Sequence, residues 1–114
     1  MAGYLDMFMD RGATFNSAIT LTDTNGNALN LVNYVVASVM KKSYVTANVA
    51  ATFTILIPNP SNGQVVLNLP AATTANLSPL RYVYDVVVRN TTTNLVDRIL
   101  EGTVYVNASV TPTP

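Results

Sequence analysis

Ten consecutive residues, Leu80–Arg89, leave this chain little choice of local structure. Reading Leu-Arg-Tyr-Val-Tyr-Asp-Val-Val-Val-Arg, they are rich in β-branched and aromatic side chains, which fit a pleated sheet and lose rotamer freedom in a helix. No helical spacing of apolar positions runs through them. Side chains alternate along a strand, so Tyr82, Tyr84, Val86 and Val88 point to one side and form the core face of a central strand. Val83, Asp85, Val87 and Arg89 form the other side, a mixed surface suited to water or to another subunit.

The rest of the chain repeats this pattern in shorter pieces. After a break at Arg11-Gly12, Phe15, Ser17, Ile19 and Leu21 share one face of a half-buried strand. Asp23–Asn27 stacks turn formers around Asn25-Gly26 and predicts a tight hairpin into Ala28–Leu31. Tyr34–Lys42 follows, with Tyr34, Val36, Ser38 and Met40 inward and Val35, Ala37 and Val39 outward. Ala51–Ile57 alternates through Phe53, Ile55 and Ile57 and stops at Pro58. The Pro58–Gly63 stretch is the strongest reversal in the sequence, because two prolines remove ladder donors and Asn62-Gly63 favours a turn. Gln64–Leu69 returns with Val65, Leu67 and Leu69 inward, and Ala71–Asn76 is the one plausible helix, a cap on one end of the fold.

Asn90–Asn94 reads as a hairpin loop that brings Leu95–Val106 back antiparallel to the central strand. Centred on Thr92, it sets Tyr84 against Leu100 and Tyr82 against Gly102, brings Arg89 diagonal to Asp97, and turns Arg98 inward. About seven short strands with almost no helix predict an all-β protein, an antiparallel β-sandwich of immunoglobulin-like type. Its predicted core is Phe15, Ile19, Leu21, Tyr34, Val36, Met40, Phe53, Ile55, Val65, Leu67, Tyr82, Tyr84, Val86, Leu100 and Val104. Residues 1–10 are expected to form an N-terminal strand or arm, 11–107 the sandwich, and 108–114 an extended Pro/Thr tail.

Composition narrows function mostly by exclusion. The 114 residues suit one domain. Six basic and six acidic side chains cancel, so the electrostatic footprint of nucleic-acid binding is missing. Charged residues are 11% of the chain, well below the roughly 25% usual for soluble domains, which suggests that partners cover part of the surface. The chain lacks a signal-peptide pattern and any apolar run of membrane-spanning length, so it is expected to be soluble, made in a cytoplasm and to meet no membrane.

Histidine and cysteine are both absent. That removes the usual nucleophile–base pairs, the nitrogen and sulfur ligands of zinc, and any disulfide. Assembly is accordingly expected to be insensitive to pH between about 6 and 8 and to reductants. Asp85 and Glu101 are placed to approach one another on the outer face, but a flat face lacks the concavity that an enzyme site needs. Asp23, Asn25 and Asn27 alternate like calcium-loop oxygens without the distal glutamate, and turn chemistry explains them. The chain is therefore expected to be non-enzymatic, with no cofactor and no metal. Val35, Ala37 and Val39 with Val83 and Val87, together with Tyr4 and Phe8 of the N-terminal arm, are the predicted protein interface.

Several segments in order, Arg11–Asp23, Gly26–Leu31, Tyr34, Lys42-Ser43, Arg81–Val86 and Arg98–Val104, resemble the small β-sandwich proteins of tailed bacteriophages. The pattern is similar to the N-terminal module of upper baseplate proteins and to related stand-alone virion proteins, including those of contractile-tailed phages of cyanobacteria. The likeness spans most of the chain and departs at Leu80, where the family often has glycine. It implies a virion structural protein, made in the bacterial host cytoplasm and held in tail or baseplate by contacts with other virion proteins, in several copies or as a homo-oligomer. Capsid decoration is the alternative within that class. A host-adhesion or carbohydrate-binding module is the alternative outside it, with Tyr44 and Tyr105 as the aromatic candidates.

Overall fold

A computed structural model describes residues 3–22, 25–46, 48–78 and 80–110. The chain forms β1 (Gly3–Tyr4), β2 (Met7–Asp10), β3 (Phe15–Thr20), β4 (Tyr34–Lys41), β5 (Ala51–Thr52), β6 (Thr54–Asn59), β7 (Gln64–Leu69), β8 (Arg81–Asn90) and β9 (Val96–Asn107). A 3-10 turn at Pro60–Asn62 and one helical turn, α1 (Ala71–Thr74), complete the set. Two sheets result: one ordered β1-β9-β8-β4-β5, with β2 also on β9, and one ordered β3-β7-β6. The protein is an all-β sandwich. Its strand order is that of immunoglobulin-type domains, with strands B, E and D in one sheet and G, F and C in the other. The first strands depart from an all-antiparallel layout, since β1 and β2 run parallel to β9.

Two segments stitch the sheets together. β2 pairs with β9, and four residues later β3 pairs with β7 in the opposite sheet. Similarly, Phe53 makes the last bond to β4, N–H to Ser38 O at 3.0 Å, before Thr54 pairs with Asn68 of β7. The core between the sheets holds Phe15, Leu21, Val36, Met40, Phe53, Val65, Leu67, Tyr82, Tyr84, Val86 and Val104, all buried, with Ile19, Tyr34, Ile55 and Leu100 half-buried against it. Met7 and Met9 of β2 are also buried, so the N-terminal segment contributes to the core and is a strand, not a loose arm. Phe53 joins Phe15 and Tyr84 ring to ring, with centroids 5.9 and 6.4 Å apart. Aromatic pairs at such spacing add to the value of burial alone.

The connection between β7 and β8 fastens one end. Thr74 is fully buried; its hydroxyl lies 2.8 Å from Ala13 O and accepts the Gly12 N–H at 3.1 Å. Arg11 Nε donates to Leu77 O at 2.8 Å. The helical turn thus caps the sandwich by holding the crossing from β2 to β3. At the start of β8, Tyr82 Oη donates to Ser78 O at 3.1 Å, the tyrosine corner of immunoglobulin-type sandwiches.

The structure corrects the expected β8–β9 register. Tyr84 faces Gly102, Tyr82 faces Val104 and Val86 faces Leu100; beyond a bulge, Val87 faces Arg98 and Arg89 faces Val96. The loop is displaced by one residue from Asn90–Asn94, since β8 runs on to Asn90 and its N–H donates to Leu95 O at 2.9 Å, while the Asn90 carboxamide oxygen accepts the Thr92 and Thr93 N–H groups. Asn94 takes φ 62° to close it. The bulge inserts one residue into β9, which turns Arg98 outward. The expected Arg89–Asp97 pair is absent: Asp97 lies opposite Val88, and Arg89 donates instead to Asn94 Oδ1 at 3.2 Å.

The predicted hairpin strand Ala28–Leu31 is also corrected. Among the described residues the hairpin pairs only at its start, through a Thr22–Ala28 bridge and the Leu29 N–H to Leu21 O at 2.8 Å, after which Leu31 N–H bonds to Pro60 O. The segment packs across the β6–β7 turn, where Gly63, at φ 68°, has Leu21 O only 2.6 Å from where a Cβ would stand. That closeness, in addition to turn geometry, requires glycine. Asp23 of the calcium-like pattern lies outside the described residues.

Candidate interaction surface

The outer face of the larger sheet carries every residue of the predicted protein interface, while Tyr44, a carbohydrate candidate, lies in the turn after β4. β4 and β8 are direct neighbours, with Ala37 opposite Val87, Val39 opposite Asp85 and Lys41 opposite Val83. Val36, Ser38 and Met40 occupy the inner side, so Val35, Ala37 and Val39 face out. Val35 and Ala37 are exposed; Val39, Val83 and Val87 are half-buried among their neighbours. Neither α1 nor the N-terminal strands lie over this patch. The former packs against the β2–β3 crossing, and the latter line the far side of β9.

A second apolar cluster stands at that far side. Tyr4 and Phe8 are 65% and 68% exposed, which is high for large aromatic side chains fixed in a sheet. Phe8 stacks on Tyr105 with centroids 5.2 Å apart and planes 18° from parallel. Tyr4 Oη lies 3.0 Å from Thr103 Oγ1. Parallel pairing creates this cluster by setting Phe8 against Tyr105. Alternation in each segment placed both residues outward, but no local signal announces a pairing between two stretches so far apart in the chain.

A charged strip runs from Asp85, within the β4–β8 patch, across to β9. Asp85 and Glu101 are cross-strand partners, as expected, and the outward Arg98 bridges them, with Nε 3.2 Å from Asp85 Oδ2 and Nη1 3.5 Å from Glu101 Oε2. Two carboxylates side by side repel, and a guanidinium fork offsets that repulsion. All three groups are partly exposed, so each contact contributes only about 0–1 kcal/mol. Beside the strip, a depression of about 200 Å³ is lined by Val39, Lys41, Ser43, Tyr44, Asp85 and Arg98, among others. It is smaller than the roughly 300–1,000 Å³ of small-molecule sites.

The arrangement defines a class by its surfaces: an immunoglobulin-type sandwich whose larger sheet presents apolar and aromatic groups around a neutralised charge cluster. No protein-family model matches this chain, and no curated protein matches it significantly.

Proposed function

We propose that the protein is a non-enzymatic structural component of a tailed-phage particle, held in the tail or baseplate through the outer face of its larger sheet. The observation that carries this reading is the apolar group Val35, Ala37, Val39, Val83 and Val87 on the outer side of two paired strands, Val35 and Ala37 exposed and the other three half-buried around Asp85, with no other described strand or helix lying over them. Solvent-facing strands normally carry polar side chains, and contiguous apolar area marks interaction sites. The low charge and the sequence resemblance support the same reading. Separating heads from tails and identifying the protein by mass spectrometry tests the location; recovery with heads alone replaces the tail assignment with capsid decoration.

Val39→Lys tests the surface. Val39 points out beside Asp85, so the lysine has a carboxylate at hand, and folding stability is expected to change by less than about 1 kcal/mol. Incorporation into particles is expected to fail. A variant that unfolds assigns the face to the core; one that folds and incorporates normally removes the patch from the interface.

The stacked Phe8–Tyr105 pair favours a second reading, adhesion to host glycans, because exposed rings are the usual platform for sugar faces. A glycan array answers it: uniformly negative binding eliminates this reading and leaves the aromatic cluster as protein-facing surface.

A further inference from the structure

The sandwich has four sheet edges, and three are blunted in ways that prevent strand addition. On β6, Pro58 and a register shift between Leu56 and Asn59 interrupt the ladder. The β1–β2 edge breaks at Leu5-Asp6 into pieces of two and four residues. β5 is two residues long before the chain leaves for the other sheet. β3 differs from all of these: six residues, Phe-Asn-Ser-Ala-Ile-Thr, without proline, charge or any register shift against β7. In constant-type immunoglobulin sheets the first strand covers this position, since the order there is A-B-E-D. Here β1 and β2 pair with β9 instead, and among the described residues β3 is left as an edge.

The orientation of its backbone groups follows from one bond. Leu21 N–H donates to Gly63 O at 2.8 Å, which continues the register of Ile19 with Val65, Ser17 with Leu67 and Phe15 with Leu69. Hydrogen-bonded pairs recur every second residue along an antiparallel ladder, so these odd positions bond β7. Asn16, Ala18 and Thr20 therefore aim both N–H and C=O at the open edge.

We propose that β3 pairs antiparallel with β3 of a second copy of this chain, about a twofold axis at Ala18. This register sets Ala18 against Ala18 and Asn16 against Thr20 of the other copy, so all three open residues on each chain exchange both of their backbone bonds. Shifting the axis to Ser17 leaves Thr20 unused. Parity is preserved, so Ile19, half-buried at the edge, comes to lie beside Ser17 of the second copy. No charge meets a like charge, because the strand has none. The two three-stranded sheets merge into one of six strands, and the outer face of the larger sheet stays open. This pairing stands independently of the virion reading and uses a different surface.

The absence of native cysteine makes the test clean. A hydrogen-bonded antiparallel pair sets its Cα atoms about 5.5 Å apart, within the roughly 4.4–6.8 Å that a disulfide spans. Ala18→Cys is expected to form a covalent dimer on mild oxidation or with a short thiol crosslinker. Asn16→Cys and Thr20→Cys should link to each other when mixed, while Ser61→Cys, in the exposed 3-10 turn, should not crosslink above background. Unmodified protein should show concentration-dependent dimerisation in sedimentation. Ala18→Lys, which opposes two cations across the axis, should fold normally and weaken the dimer by roughly tenfold. Crosslinking of Ala18→Cys no greater than that of Ser61→Cys, or a protein that stays monomeric up to millimolar concentration, overturns the pairing.

Discussion

Replacing Gly102 with alanine is expected to cost about 3–5 kcal/mol and to lift the first strands off the sandwich. A Cβ at this position stands 2.0 Å from Leu5 O and 3.1 Å from the Tyr84 ring. Leu5 is held by its own N–H to Glu101 O at 2.9 Å and by Tyr84 Oη, which donates to Leu5 O at 2.6 Å. Backbone cannot swing aside as a side-chain tip can, so the link between β1 and β2 has to move. Overpacking alone costs about 1–3 kcal/mol, and losing the tyrosine bond and part of the burial of Met7 and Met9 raises the sum. Denaturant titration measures the loss, and amide exchange at Met7–Met9 reports where it falls. In a chain truncated to begin at residue 11, Gly102→Ala should cost little more, because both changes remove the same contact. A loss below about 1 kcal/mol in the full chain, with unchanged exchange, would show that β1–β2 tolerates the methyl group.

Tyr84→Ala is the second large effect, expected at about 3–5 kcal/mol, the range for removing an enclosed aromatic side chain. Tyr84 is buried, meets Phe53 edge-on and ties β8 to Leu5. Tyr84→Phe keeps the ring and loses the bond, which should cost about 1–2 kcal/mol. If the alanine variant loses less than about 1 kcal/mol, the ring is not enclosed as described.

The same hydroxyl gives the fold a predictable alkaline limit. Burial, then the charge of Asp6, then Tyr4, push the Tyr84 phenol from its ordinary 10.0 up to about 12. A raised pKa means that folding favours the protonated form, so its contribution is complete below pH 10 and is lost as pH climbs toward about 12. Phenolate absorbance should show an ionisation near pH 12 that disappears in Tyr84→Phe, with stability falling over that window in the parent chain and less so in the variant. A Tyr84 phenol that titrates at its ordinary value removes this source of alkaline sensitivity.

Alternation made the core legible before any coordinates, because a period of two assigns a side to each residue once a strand is recognised. Tyr82, Tyr84, Val86 and Val88 needed nothing more, and the exposed patch on β4 followed by subtraction. What alternation cannot supply is an offset. Where Asn90 bonds across the loop, and where β9 takes in an extra residue, moved Tyr84 from Leu100 to Gly102 and turned Arg98 from an unexplained inward cation into the bridge between Asp85 and Glu101. Parallel pairing of β2 with β9 was hidden for a related reason. The alternation of Met7 and Met9 shows that one side of β2 is apolar, but nothing local says which strand lies beside it.

That pairing also sets the order in which the molecule can complete itself. Met7 meets Val104 and Phe8 meets Tyr105, so β2 waits for β9, which is synthesised after every strand between them. Contacts this distant in sequence close slowly, because chain entropy is spent before any contact rewards it. On the ribosome, β3 to β8 have emerged before β9 provides a partner for β2, and until then Met7 and Met9, buried in the finished fold, stay open to water and to neighbouring chains. The nascent sandwich is thus stickiest at β2, at a time when its other sheet is already able to form, and prompt synthesis of β9 is its own protection against aggregation.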